Sequence, residues 1–168
     1  GNGTFDITLT APTGADIEIT GGKFEEKVDP AYLAEGLVFY EKDGIMNVGE
    51  RNSVVDGKNY VVSFNGEAYA TIDEAVEDGM VARIGTYGYA SLAEALAAAE
   101  AEDVVVLQTD TTIGTLILSD SFTLDLNGNT ITSNILFVNG NPNSVITANI
   151  SNGAINATTY GILVYNNV

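Results

Sequence analysis

The stretch from Ser91 to Ile131 reads SLAEALAAAEAEDVVVLQTDTTIGTLILSDSFTLDLNGNTI, and it decides the fold. It opens with an alanine-rich segment in which Ser91 and Glu94 have the S-x-x-E spacing of a helix capping box. Apolar residues recur there at helical spacing. The run Val104–Leu107 follows and is continuously apolar, as in a strand that is buried on both faces. The stretch therefore predicts a short helix that leads directly into β-strands.

A repeat follows this helix. Phe122–Leu126 aligns with Ile146–Ile150 at a spacing of 24 residues, and the same spacing continues to the pair Ile131 and Ile155. Within each copy the apolar residues alternate, so one face of each strand points inward. Both copies then turn through Asn-Gly, a pair that tolerates the left-handed backbone of a tight corner. We predict a mainly-β solenoid whose rungs stack on one another and whose near end is closed by the alanine-rich helix, with an ordinary helix in an α+β domain as the alternative.

The chain divides into two predicted parts. Residues 1–55 form a β-rich module, and residues 56–168 hold strand–helix repeats that lead into the solenoid. Hairpin turns are predicted at Asp43-Gly44 and Asp56-Gly57. The strands predicted in and beside the first part are residues 4–9, 16–24, 37–40, 45–48, 54–55 and 60–62.

An internal duplication lies upstream of the solenoid. Tyr69–Val76 matches Tyr89–Leu96 at a spacing of 20 residues, and each copy contains its own capping box. A short predicted strand precedes each copy, at residues 61–64 and 81–84. The pattern predicts two strand–turn–helix units in tandem, of which only the second continues into rungs.

Three of these segments resemble the start of right-handed parallel β-helix, pectate-lyase-like repeat domains. They are residues 89–96, 103–108 and 122–131. Such domains are common in large surface proteins of gut and other Gram-positive bacteria. Residues 17–36 are similar to the segment that closes these helices in the same proteins. The resemblance implies a right-handed parallel β-helix and an extracellular, cell-wall or cell-surface location, but no particular activity, because this fold hosts lyases, hydrolases, adhesins and stalks.

Composition excludes several classes of partner. The chain has 23 acidic and 6 basic residues and a net charge of −17, which disfavours nucleic acid and anionic membrane surfaces. No apolar run approaches the roughly 20 residues of a membrane helix, so no membrane insertion is predicted. Cys and His are absent, which excludes disulfides and Cys/His zinc sites. No cofactor is predicted, although the excess of carboxylates suits a structural calcium ion.

No catalytic residue is predicted. Lyases of the resembled family imply a basic residue that takes a proton from the sugar, yet the chain has no Lys or Arg after Asp103. The related hydrolases imply converging carboxylates. Asp125 lies between the inward-facing Leu124 and Leu126, so its side chain is expected to point outward. We therefore expect that the protein is not an enzyme.

Candidate ligand-binding residues are Tyr87, Tyr165 and Asp125. The two tyrosines are less constrained by the repeat than Tyr69 and Tyr89, and an exposed tyrosine ring suits stacking on a sugar. Asparagines are frequent in the predicted solenoid. They form either a carbohydrate-binding face or a set of corner residues whose side chains hydrogen-bond to backbone groups in the turns. The final segment reads as a strand still in progress and the chain lacks an initial Met, which favours a fragment of a longer protein.

These observations favour a non-catalytic structural or adhesion module of a secreted or cell-surface bacterial protein. A carbohydrate-binding or carbohydrate-active β-helix is one alternative. A module that self-associates through an open solenoid end is another. The partners compatible with these functions are glycans, another surface protein, or a second copy of the chain that forms a homodimer through that end.

Overall fold

A computed structural model describes residues 17–26, 28–55, 60–118, 121–139, 145–157 and 159–166. These residues are mainly β, which confirms the predicted class at that level. They divide into two compact units on either side of the Ala75–Val76 bond. The boundary predicted between residues 55 and 56 concerns sequence modules and stays a prediction.

The described residues of the first unit form short strands, one turn of 3-10 helix and two short α-helices. The elements are β1 (Gly22–Phe24), the 3-10 turn (Pro30–Tyr32), β2 (Leu37–Lys42), β3 (Ile45–Glu50), α1 (Arg51–Val54), β4 (Val62–Phe64), β5 (Glu67–Tyr69) and α2 (Ile72–Glu77). The described strands follow the order β1-β3-β2-β5-β4, with β2 and β5 parallel and the other pairs antiparallel. Helix α2 lies at the end of this unit and crosses its boundary.

Two hairpins of the first unit turn through residues with left-handed backbones. Asp43 and Gly44 join β2 to β3 with φ of 56° and 73°, which confirms the predicted turn. Asn65 and Gly66 join β4 to β5 in the same way, with φ of 47° and 76°. The sequence predicts β4 but not β5, because Tyr69, the last residue of β5, opens the duplicated segment that predicts helix α2. The predicted strand at residues 54–55 is wrong, since Val54 ends helix α1.

Two sequence predictions for the first unit lie outside the described residues. They are the strand at residues 4–9 and the turn at Asp56-Gly57. The described part of the predicted strand at residues 16–24 forms β1 only from Gly22 onward, together with an isolated bridge at Ile19.

Beyond the end of α2, the described residues of the second unit form one hairpin, one helix and a series of parallel strands. The elements are β6 (Ala82–Ile84), β7 (Tyr87–Tyr89), α3 (Leu92–Ala98), β8 (Val104–Leu107), β9 (Thr111–Leu118), β10 (Phe122–Asp125), β11 (Thr130–Asn139), β12 (Ala148–Ser151), β13 (Ala154–Asn156) and β14 (Ile162–Asn166). Helix α3 begins as predicted, because Ser91 Oγ accepts a hydrogen bond from the Glu94 N–H at 3.2 Å. It buries Leu92 and Ala95 and contacts β6, β7 and β8.

These strands form two parallel stacks. In one, β8, β10 and β12 pair in parallel, and β6 joins the outer side of β8 as an antiparallel strand. In the other, β11 pairs in parallel with β9 on one side and with β13 and β14 on the other. We call the successive sets tier 1 (β8 and β9), tier 2 (β10 and β11) and tier 3 (β12, β13 and β14). Each tier therefore contributes strands to both stacks.

One apolar core joins the two stacks and the helix. Leu124 from one stack and Ile131 from the other are completely buried in the same cluster as Leu92 of α3. Because the side chains of a strand alternate between its faces, this shared core requires each stack to turn its apolar face toward the other. The buried members are Ala82, Leu92, Ala95, Val105, Leu107, Leu116, Phe122, Leu124, Leu126, Ile131 and Ile135.

The register corrects part of the predicted repeat. Ile131 pairs with Ile155 as predicted, whereas Phe122 pairs with Ala148 and not with Ile146. The physical reason is the corner that follows each strand: two residues separate β12 from β13, but four separate β10 from β11. Because the corner between β12 and β13 is two residues shorter, Ile155 lies opposite Ile131 even though Ala148, and not Ile146, lies opposite Phe122.

Burial of the first parallel strand also differs from the prediction. Val105 and Leu107 are fully buried, but Val104 is 43% exposed and Val106 is only half-buried. The run Val104–Leu107 is therefore covered on one face, because only that face meets the core shared with the second stack.

Candidate functional site

Asp125 lies at the corner between the two stacks. Its Oδ1 accepts hydrogen bonds from the Asn127 N–H at 2.9 Å and from Nδ2 of Asn152 at 3.1 Å. Leu124 and Leu126 on either side are buried, so the carboxylate points outward as predicted. Asn127 and Asn152 both have left-handed backbones, with φ of 49° and 58°. Asp125 thus links the corner of tier 2 to the corner of tier 3.

Other polar side chains make the same kind of bond between tiers. Asp110 Oδ1 accepts from the Thr130 N–H at 2.7 Å, and Ser121 Oγ accepts from the Thr147 N–H at 2.9 Å. Asn134 Oδ1 accepts from the N–H groups of two residues of the last tier, Thr159 and Tyr160, each at 3.3 Å; Asn129 Nδ2 donates to the Leu107 carbonyl at 3.3 Å. For these residues the contacts favour the corner interpretation over a carbohydrate-binding face.

Tyr87 lies in a different place from Asp125. It pairs with Ile84 of β6, which in turn pairs with the buried Val105 of β8. Residues that pair directly across strands project from the same face of a sheet, so Tyr87 is on the face of Val105. Asp125 pairs with Val106 and is on the opposite face. The structure therefore does not bring these two candidates together, although the Tyr87 side chain is 50% exposed.

Tyr165 belongs to the second stack. In β14 it is the register partner of Val138 in β11, while its side chain lies outside the described part of the chain. The three predicted ligand-binding residues consequently occupy three separate strands, of which β7 and β10 belong to one sheet and β14 to the other.

Tier 3 is the last tier that the structure describes, and the described residues pair with it on one side. Within the described residues, β12 pairs only with β10, and β13 and β14 pair only with β11. Val145 is 86% exposed and Ile162 51% exposed, and Ile150 and Ile155 are half-buried. We call this surface, formed by the open sides of β12, β13 and β14, the tier-3 edge.

One tyrosine of the first unit has a shifted pKa. Burial raises the pKa of Tyr60, and the neighbouring Tyr40 and Glu41 raise it further. The Tyr60 hydroxyl donates a hydrogen bond to the Glu41 carbonyl, and its ring meets the Tyr40 ring edge to face with 5.7 Å between centroids. This arrangement anchors β2 against Tyr60, which lies two residues before β4.

Metal ligands are not grouped in the part of the chain that the structure describes. There, no three Asp, Glu, His or Cys side chains lie close enough together to hold a metal ion. The described helices also include none that is both apolar enough and long enough to cross a membrane. No family model, curated protein or solved structure matches the chain.

Proposed function

We propose that the chain is a non-catalytic structural module of a secreted or cell-surface bacterial protein, and that its second unit is the start of a right-handed parallel β-helix closed at one end by α3. In this role it forms part of a stiff rod that carries an adhesive or displayed region away from the cell. The resemblance to pectate-lyase-like repeat domains of Gram-positive and gut bacteria points in the same direction.

The observation that carries this proposal is the pair of in-register parallel stacks around one core. Leu124 and Ile150 are register partners on neighbouring strands of the first stack, and Ile131 and Ile155 are register partners in the second. A chain that returns to both stacks once per tier, with apolar residues inside, is the arrangement from which solenoids are built. Since most parallel crossover connections are right-handed, we assign that hand to the coil.

The use of the polar side chains also supports a structural role. Asp125 is held by a backbone N–H and by the Asn152 amide, and Asp110 by the Thr130 N–H. Two of the acidic side chains in the parallel stacks are thus engaged in joining tiers. A carbohydrate-binding role for Tyr87, Tyr165 and Asp125 stays a prediction, and Tyr87 and Asp125 face opposite sides of their sheet.

Cysteine cross-linking tests the coil, because the natural chain contains no cysteine. Thr123 and Asn149 are register partners in one stack, and Thr132 and Asn156 are register partners in the other. Paired strands are about 4.8 Å apart, within the Cα–Cα range that a disulfide spans. We expect both Cys pairs to oxidise within one chain. The control pair, Thr123→Cys with Asn156→Cys, joins different sheets and should stay reduced.

The non-catalytic role is tested separately with glycans. The chain is incubated with acidic and neutral polysaccharides, and new reducing ends are measured, followed by binding to a glycan array. We expect no turnover and no tight binding. Turnover, or tight binding that is lost in Tyr87→Ala or Asp125→Asn but kept in Tyr160→Ala, would replace the structural role with a carbohydrate-directed one.

A further inference from the structure

We infer that the hairpin–helix module of this chain is an interchangeable cap, so that either of its two copies is able to cover the first strand of the coil. Copy 1 comprises β4, β5 and α2, and copy 2 comprises β6, β7 and α3. The strand that each copy fits is β8 of this same chain. The inference rests on the part of the proposed function in which α3 closes one end of the coil.

The two hairpins have the same backbone pairing. Strand β4 pairs with β5 in the register in which β6 pairs with β7, with each residue number raised by 20. At the open end of copy 1 the Val61 N–H donates to the Tyr69 carbonyl at 2.9 Å. The equivalent bond of copy 2 runs from Val81 to Tyr89, also at 2.9 Å. The hairpins therefore agree in strand length, register and hydrogen bonding at that end.

The two helices start in the same way after their hairpins. In residues 71–74 and 91–94 alike, the glutamate N–H donates to the hydroxyl oxygen of the capping residue at 3.2 Å. Each helix then places an alanine four residues after its cap, Ala75 in copy 1 and Ala95 in copy 2, and both are completely buried. The sequence duplication is thus a duplication of local structure.

Strand β8 docks on copy 2 mainly through the backbone. It pairs with β6 in antiparallel orientation, and the Gln108 N–H donates to the Val81 carbonyl at 2.8 Å. On the inward side Ala82 is the register partner of Leu107, and both are completely buried in the core that β8 shares with α3. Main-chain bonds and an apolar inward face are features that any hairpin of this register supplies. Copy 1 has both.

The copies differ in the size of their inward side chains. Val62 of copy 1 stands where copy 2 has Ala82, and Phe64 stands where copy 2 has Ile84. Val62 and Ala82 are both completely buried, so their surroundings are already filled. A larger side chain in a packed core costs stability. Copy 1 is therefore the weaker cap for β8, and a smaller residue at Val62 should improve its fit.

Deletion of residues 70–89 tests the exchange and leaves the local signals intact. It removes one repeat length of 20 residues and joins Tyr69 to Ala90, which restores the natural Tyr-Ala pair. The shortened chain keeps β4, β5, α3 and the coil, and it lacks α2, β6 and β7. We expect it to keep a β-type circular dichroism spectrum and to unfold cooperatively in urea, at a lower midpoint than the natural-length chain.

A cysteine pair reports which hairpin covers β8. Val106 is the register partner of Arg83, and Ser63 is the equivalent of Arg83 in copy 1. Ser63→Cys with Val106→Cys should form a disulfide within the shortened chain, because neighbouring strands are about 4.8 Å apart. In the natural-length chain this pair should stay reduced, since Arg83 and Asp125 pair with Val106 on its two sides. Arg83→Cys with Val106→Cys in the natural-length chain is the positive control.

Val62→Ala gives a second readout, because its effect should change sign. In the natural-length chain it should lower the urea midpoint, since it leaves a cavity at a completely buried residue. In the shortened chain it should raise the midpoint, since β8 then meets an alanine there, as it meets Ala82 in copy 2. Val38→Ala, at a buried residue of β2, is the matched control and should lower the midpoint in both chains.

Three results would overturn the inference. One is loss of cooperative unfolding in the shortened chain both with and without Val62→Ala. Another is a cysteine pair at Ser63 and Val106 that stays reduced in the shortened chain or oxidises in both chains. The third is an effect of Val62→Ala that has the same sign in both chains. The proposed coil is tested separately by its own disulfides in the natural-length chain, so failure of the exchange with those disulfides intact would contradict the exchange alone.

Discussion

Tier 2 and tier 3 place equivalent side chains in different surroundings. Leu124 and Ile131 of tier 2 are completely buried, while their register partners Ile150 and Ile155 of tier 3 are only half-buried. The residue types and the inward direction are the same. The difference is that, within the described residues, tier 2 has a paired tier on both sides and tier 3 on one. Burial in this fold is therefore supplied by the neighbouring tier as much as by the facing stack.

Substitution of the core leucine tests this comparison with the largest expected effect. Leu124→Ala should lower the free energy of unfolding by about 3 kcal/mol, because it leaves a cavity between two tiers. Ile150→Ala should cost only about 1 kcal/mol, since its site is partly open to water already. Urea denaturation followed by circular dichroism measures both. Equal losses would mean that the two tiers are equally enclosed.

Two glycines test the same comparison at the corners: Gly128 lies in the corner of tier 2 and Gly153 in the corner of tier 3. A Cβ on Gly153 would lie 2.4 Å from the Asn129 carbonyl oxygen and 2.4 Å from Leu126 Cβ, so Gly153→Ala should cost about 2 kcal/mol through overpacking. Gly128 has open space around its Cβ position but a φ of 83°, so Gly128→Ala should cost about 1 kcal/mol through backbone strain alone.

Unfolding midpoints distinguish these two causes. Asn tolerates the left-handed backbone better than Ala does, so Gly128→Asn should recover part of the loss. Gly153→Asn should be no better than Gly153→Ala. Recovery at both sites would show that the tier-3 corner is not crowded.

Removal of the link between the two corners should have a smaller effect. Asp125→Ala takes away the acceptor of the Asn127 N–H and the Asn152 amide, and should cost about 1 kcal/mol. Thr123→Ala is the control, because it changes a half-buried side chain on the same face of β10. It should change the free energy of unfolding by less than about 0.5 kcal/mol. A cost at Asp125 no larger than at Thr123 would show that the tiers do not depend on this bond.

An alkaline titration sharpens the comparison by probing the first unit separately. Burial raises the pKa of Tyr60, so the folded state keeps this hydroxyl protonated where the unfolded chain begins to lose the proton, at about pH 10. Its contribution to stability is therefore present below that pH and is lost as pH rises toward the raised value. Tyr60→Phe should flatten this decline slightly.

Local signals in the sequence predicted the parts of the fold that depend on neighbours along the chain. The capping box at Ser91 and Glu94 placed helix α3, and Asp43-Gly44 placed the first hairpin. Helix α1 was missed because its Val54-Val55 ending is typical of a strand. Tertiary contact overrides that preference, since Arg51 is buried and its Nε donates to Ser63 Oγ at 2.7 Å.

The candidate site depended on information that no local pattern contains. Whether Tyr87 and Asp125 share a face follows from the register of four strands, β7, β6, β8 and β10. A one-residue change in any of these pairings would reverse the answer. Outward orientation of Asp125 was predictable from alternation within one strand, but its bond to Asn152 required the pairing of tier 2 with tier 3.

The unequal corners also limit how the length of this chain is able to vary. Tier 3 turns with two residues where tier 2 uses four, yet Ile155 still lies opposite Ile131. Insertion or deletion of a single residue between Ser151 and Ala154 would rotate every later side chain of β13 to the other face, whereas a change of two preserves the inward set. We therefore expect this chain to tolerate changes of two residues in the connection between β12 and β13 better than changes of one.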